Sequence, residues 1–319
     1  MRKSGAVSTL HTLVYDNSII RSFRHGWRPE VNMPRSRSWL LVVLSCTVLA
    51  TGQNSEQSIL SYNQYSAIEH RNPYVLEFKT DSGALLFFGA EHTVDPQNPQ
   101  IADIEKRWAV FKATVAYNEG GNPPTFNDLR EAVRAYGEAG LVRFLAGRDQ
   151  VPVGTFEPPF DEEVAYLLKT YTPQQLKVFY ALRQVTEERS REAPISVDDR
   201  INSWLSRYLP AQGLRNPPNN VNELDAACKK LFPELTDWHQ VPEEWFGPRK
   251  SGHYTNKLAG DSGDFRNRYI FRLLVNRVKR GDRVFAVIGS SHVVVLEPAL
   301  IKEFGPPLLR LNGLTPLSH

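Results

Sequence analysis

The stretch "RVFAVIGSSHVVV", from Arg283 to Val295, is an apolar run of strand character that ends on Gly-Ser-Ser-His before three valines. A second run far upstream ends the same way. "ALLFFGAEHTVD", from Ala84 to Asp95, closes on Gly89, two residues and His92. A glycine at a strand exit lets the backbone bend or approach a neighbour with no side chain in the way. Two such exits, at Gly89 to His92 and Gly289 to His292, predict one site assembled from both ends of the chain.

The elements between them set the topology. "YVLEFKT" (74–80) and "ALLFFGA" (84–90) read as a hairpin turned at Asp81-Ser82-Gly83. "PQIADIEKRWAVFKA" places Ile101, Ile104, Trp108 and Phe111 along one side of a helix. A short strand stops at Glu119, a long helix weakened by Gly137 and Gly140 follows, and a further strand ends at Glu157. From about 160 to 250 the pattern is helical. Thr172, Pro173 and Gln175 form a capping box there, and Ser196 with Asp199 repeats it. A helix from near Asp264 to Gly281 then leads into the strand at Arg283.

Strands alternating with helices predict an α/β fold: a mainly parallel sheet flanked by helices, with a helical insertion before the last strand. In such a sheet, strand C-terminal ends and the starts of the following helices gather on one edge, where ligands bind. His92, Glu119, Glu157 and His292 fall there, with Arg266 in the first turn of its helix. Two imidazoles and a carboxylate suit a divalent metal (Zn, Mn, Fe or Co) that activates water. Arg266 near a helix N-terminus could stabilise an oxyanion. Ser291 is a further candidate, although Ser290 and Ser291 have a simpler role as turn hydrogen-bonders. Strand alternation turns Glu91 away from the site. Glu138, in the lower half of its helix, reads as surface or structural, and Asp161, Glu162 and Glu163 as complements to a helix N-terminus.

Composition excludes several classes. The chain has 319 residues, 41% hydrophobic and 23% charged, with a net charge of +3 and two cysteines. That charge is too small, and too evenly spread, for a nucleic-acid partner. Two cysteines supply neither a disulfide framework nor a cysteine zinc site. Residues 1–52 read as an N-terminal extension followed by a signal peptide from Met33, whose apolar core, Trp39 to Ala50, is short for a membrane span. The mature domain is then 53–319, with the helical insertion at about 160–250, exported to a periplasmic or extracellular space. Membrane contact would come only through the signal peptide or a lipid anchor at Cys46.

"FFGAEHT", "AYNEGG", "FRNRYIFRLLVNRV" and "RVFAVIGSSHVV" together resemble the TraB/Tiki, ChaN and erythromycin-esterase superfamily, whose hallmark is two widely separated G-x-x-H motifs. The resemblance implicates His92, Glu119, Arg266 and His292, and implies an α/β sheet with a helical insertion. Members include metal-dependent peptidases, lactone-opening esterases and a haem-binding lipoprotein. This chain departs from the esterases at Gly89, where they carry an acid. The expected function is a metal-dependent hydrolase of a peptide or small-molecule ester. The alternative is a haem or small-ligand binding protein without turnover, with His239 of "WHQVPEEWFGP" as an axial candidate.

Overall fold

A computed structural model describes residues 55–189 and 196–313. The expected signal peptide, its Cys46 anchor and the residues before Met33 lie outside the described residues. Among the described residues, no helix is long and apolar enough to cross a membrane.

The molecule is an α/β structure around one six-stranded, mostly parallel mixed sheet. A short helix α1 (Tyr62–Ser66) precedes β1 (Tyr74–Lys79) and β2 (Ala84–Ala90), which pair antiparallel with Lys79 opposite Ala84. The turn between them is held by Thr80, whose hydroxyl oxygen accepts from the amides of Ser82 and Gly83. Helix α2 (Pro99–Phe111), β3 (Val115–Asn118), α3 (Leu129–Arg148) and β4 (Val153–Thr155) follow. The helical block contains α4 (Phe160–Leu167), α5 (Pro173–Arg189), α6 (Val197–Ser203), α7 (Leu209–Ala211) and α8 (Val221–Leu231). Helix α9 (Tyr254–Lys279) returns to the sheet, and β5 (Arg283–Gly289), α10 (Ser290–Phe304) and β6 (Leu309–Asn312) complete it.

The strand order is β4-β3-β5-β2-β1-β6. β4, β3, β5 and β2 are mutually parallel, whereas β1 runs antiparallel to both of its neighbours. β5 is therefore not the last strand, as the sequence pattern suggested. β6 adds a four-residue edge in which only alternate residues are partly covered, too short and too exposed to stand out as an apolar run.

Alternation distributes side chains to two cores, one on each face of the sheet. Leu76, Phe78, Leu85, Phe87, Val284 and Ala286 bury against α9 and α10. Leu86, Phe88, Ala116, Phe285 and Val287 bury against α2 and α3. Phe285 anchors the second face, its ring set edge-on to Trp108 and Phe111. The Ile101, Ile104, Trp108 and Phe111 stripe is buried there as its spacing predicted.

The helical block encloses a third core, built from residues such as Val164, Phe179, Leu205, Leu224, Phe232 and Leu258. The Thr172–Gln175 box forms in both directions, while Ser196 accepts from the amide of Asp199. Helix α9 joins this core to the sheet. Leu258 and Ala259 near its start belong to the helical block, and Ile270, Phe271, Leu274, Val275 and Val278 belong to the sheet. It begins about three turns earlier than expected. Gly260, Ser262 and Gly263 interrupt the apolar periodicity where the helix changes partners, so its first half carries no continuous stripe.

Candidate active site at the sheet edge

The C-terminal edge of the parallel strands brings together the residues that the two G-x-x-H exits predicted. His92 lies two residues past β2, Glu119 directly follows β3, Glu157 lies two residues past β4, and His292 is in the first turn of α10. Glu119 is the hub. Its Oε2 accepts from the amide of Gly289 at 2.6 Å and stands 3.7 Å from His92 Nε2. Its Oε1 is 3.0 Å from Arg266 Nη2 and 3.6 Å from His292 Nε2. The loop carrying it is tied by Asn118, whose buried amide donates to the carbonyls of Glu119 and Gly121.

Arg266 points inward, as its spacing from Ile270 required, and is only 2% exposed. Its Nη2 donates to Glu157 Oε1 at 2.8 Å, which also accepts from the amide of Gly120. The placement in a first helical turn is corrected: Arg266 lies near the middle of α9, so no helix N-terminus assists it. It reaches the edge because α9 runs on past the sheet into the helical block.

Each imidazole also has a partner on its far side. His292 Nδ1 is 2.6 Å from Asn267 Oδ1, and His92 Nδ1 is 3.5 Å from Glu138 Oε2. His292 is buried, whereas the His92 side chain remains 33% exposed. The site is thus open on the His92 side and closed behind His292. Ser291 stands on the first turn of α10, half-buried.

Glu138 corrects the expectation that it lies away from the edge or on the surface; of the two roles read for it, the structural one fits its contacts. It is buried, and its Oε1 accepts from the amide of Thr93 at 2.8 Å and from Gln100 Nε2 at 3.1 Å. The cause is a break in α3. Tyr136 and Gly137 leave helical geometry, with Gly137 at φ 56°. The crossover helix proper therefore begins at Glu138, which puts that residue at the edge. A Cβ at position 137 would lie 2.7 Å from the carbonyl oxygen of Thr93. Gln100 adds a clamp by accepting from the amide of Glu91, whose side chain is exposed as expected. Asp161, Glu162 and Glu163 lie in the first turn of α4, as their reading as complements to a helix N-terminus expected, but Glu163 has a further role. It is buried in the helical block, accepting from Tyr180 and Ser262 hydroxyls.

Asn267, Glu138 and Gln100 are the parts that residue-by-residue reading missed. Asn267 left a signal, because it falls on the apolar stripe of Ile270, Phe271 and Leu274, where a polar group needs a partner. Glu138 left only Gly137 before it.

The donor types suit a divalent cation: two imidazole Nε2 atoms face one carboxylate. Glu119 Oε1 is buried and accepts no hydrogen bond, although Arg266 Nη2 lies 3.0 Å away. Among the described residues, no group of three or more His, Cys, Asp or Glu stands as a ready-made metal cage.

His239, the haem candidate, lies elsewhere. Its Nδ1 and Nε2 are each 2.7 Å from a carboxylate, those of Asp237 and Asp198, and its ring stacks on Trp238. Desolvation opposes its protonation, but the two carboxylates outweigh this and raise its pKa. Neither ring nitrogen is open to an iron in this arrangement.

No protein-family model matches the chain, and neither a curated protein nor a solved structure matches it significantly.

Proposed function

We propose that the protein is a metal-dependent hydrolase of a peptide or ester bond, exported by way of its 33–52 segment. The observation that carries this reading is the Glu119 carboxylate faced on each oxygen by an imidazole Nε2, from His92 and His292. The resemblance to the TraB/Tiki, ChaN and erythromycin-esterase superfamily rests on the same residues and favours the same chemistry.

In this proposal His92, Glu119 and His292 hold a divalent ion such as Mn, Co, Zn or Fe. When bound, the ion supplies a Lewis acid and lowers the pKa of water toward neutrality. Arg266 holds Glu119 and Glu157 in place and offsets part of their charge; with its Nη2 shared by two carboxylates, its contribution is positional. His92 lines the open side, where a peptide or small ester approaches. Asn267 holds His292 with its Nε2 turned to Glu119.

Metal content of wild type, His92→Ala and His292→Ala after reconstitution with each ion tests the reading. Wild type should retain stoichiometric metal, and each variant should lose most of it. Equally little metal in all three would end the metal role.

A further inference from the structure

We propose that the cleft between residues 56–64 and α9 is a second binding site, for a small zwitterion of amino-acid size whose carboxylate meets Arg268 and whose ammonium meets Asp264. The cleft holds about 360 Å³, and Gln57, Gln64, Asp264, Arg268 and Arg272 supply its polar lining. That volume lies inside the usual range for small-ligand sites, roughly 300–1,000 Å³. Asp264 and Arg268 each stand two positions from Arg266, so they occupy the flank of α9 about 200° around the helix from it. The cleft is thus separate from the sheet edge, and the inference does not depend on the metal reading.

The charges in the cleft decide the ligand class. Arg272 is already satisfied, because its Nε and Nη2 donate to the two oxygens of Glu56, each at 2.7 Å. Arg268 is exposed and Asp264 half-buried. A carboxylate and a guanidinium four residues apart on a helix are spaced to pair. Among the described residues, however, Asp264 and Arg268 form no close ion pair, and neither side chain has a hydrogen bond. One open charge of each sign remains. A zwitterion meets both, whereas a plain anion or cation leaves one unmet. Burial raises the Asp264 carboxyl pKa; Arg268 opposes this, Asp261 adds to it, and Lys257 opposes it weakly. A ligand ammonium supplies the positive partner that the ionised form needs.

The far wall of the cleft is fixed in place. The amide of Leu60 donates to the carbonyl of Val295 in α10, which ties the 56–64 segment across the helices. Gly263 leaves room on α9 for the Tyr62 hydroxyl, which a Cβ there would strike. Ile59 and Leu60 give the lining an apolar part. An amino acid with an aliphatic side chain matches all three features: the two charges and the apolar wall.

The test is calorimetric titration of the purified protein with L-leucine, set against leucinamide, which lacks the carboxylate, and N-acetylleucine, which lacks the ammonium. Wild type should bind leucine, and each analogue should bind roughly tenfold more weakly or worse, the worth of one charged hydrogen-bonding partner. Arg268→Gln and Asp264→Asn should weaken leucine binding to the same degree, with thermal melts showing both variants folded. His92→Ala should bind leucine as wild type does, because the cleft lies across α9 from the sheet edge. No saturable binding at about 10 mM, well above the millimolar affinity of a weak site, overturns the proposal. So do analogues that bind as tightly as leucine, or binding that survives both substitutions. Binding lost in His92→Ala would place leucine at the sheet edge and overturn it as well.

Discussion

The amide of Gly289 donates to Oε2 of Glu119 at 2.6 Å, joining the end of β5 to the end of its parallel neighbour β3. Any residue but proline could supply that N–H; what favours glycine at the second G-x-x-H exit is the space beside it. A Cβ at position 289 would lie 2.9 Å from His92 Nε2 and 3.4 Å from Glu119 Oε2. The glycine of the first exit has a different reason. A Cβ at position 89 would lie 2.7 Å from Ser290 Cα and 2.7 Å from the carbonyl oxygen of Tyr74, both backbone atoms.

The two glycines should therefore respond differently to alanine. Gly289→Ala presses on the tip of a part-exposed histidine, which can swing aside at a cost of about 1 kcal/mol, near the low end for overpacking. It should fold and lose metal affinity or activity. Gly89→Ala presses on backbone from two directions and should cost about 3 kcal/mol, near the upper end. Urea denaturation of both proteins checks the order. A larger stability loss for Gly289→Ala would refute the close-approach account.

Arg266 is the one cation within reach of both Glu119 and Glu157 in the pairs described above. Removing one partner of a buried ion pair leaves uncompensated charge and costs about 3–5 kcal/mol. Arg266→Ala should fall in that range. Arg266→Lys should lose less, because the charge remains, yet its single ammonium cannot reproduce the guanidinium fork. Chemical denaturation measures both. A loss under about 1 kcal/mol for Arg266→Ala would mean that the carboxylates are neutralised by some other route.

Glu163 gives a pH-dependent prediction. Burial raises its carboxyl above the ordinary value of 4.5, outweighing the hydrogen bonds from Ser262 and Tyr180 and the nearby charges of Arg183 and Arg266. A carboxyl with a raised folded-state pKa binds its proton more tightly in the folded chain. Its contribution is complete below the unfolded value and is lost as pH rises through the folded one. Gln cannot ionise and keeps an oxygen for both hydroxyl donors. Glu163→Gln should match wild type in acid and gain on it above the ordinary carboxyl range, by at most about 1.4 kcal/mol per pH unit. Urea melts across that range read the difference, and a gap that does not vary with pH would rule out the linkage.

Local sequence pattern determined much of this protein. The apolar runs "YVLEFKT" and "ALLFFGA" on either side of Asp81-Ser82-Gly83, the stripe from Ile101 to Phe111 and the Thr172–Gln175 box are short-range signals, and the chain follows them. Parallel topology then placed His92, Glu119, Glu157 and His292 on one edge, because strands that run together end together. Tertiary structure alone decided the rest. Where α9 begins depends on a second core that covers its weakly patterned first half. Glu138 enters the site because Gly137 breaks a helix whose residue spacing looks continuous. Asn267 and Glu138 face the two histidines across long sequence separations, and such partners are chosen by packing in three dimensions. Periodicity records which face of an element is buried; it holds no record of what that face will meet.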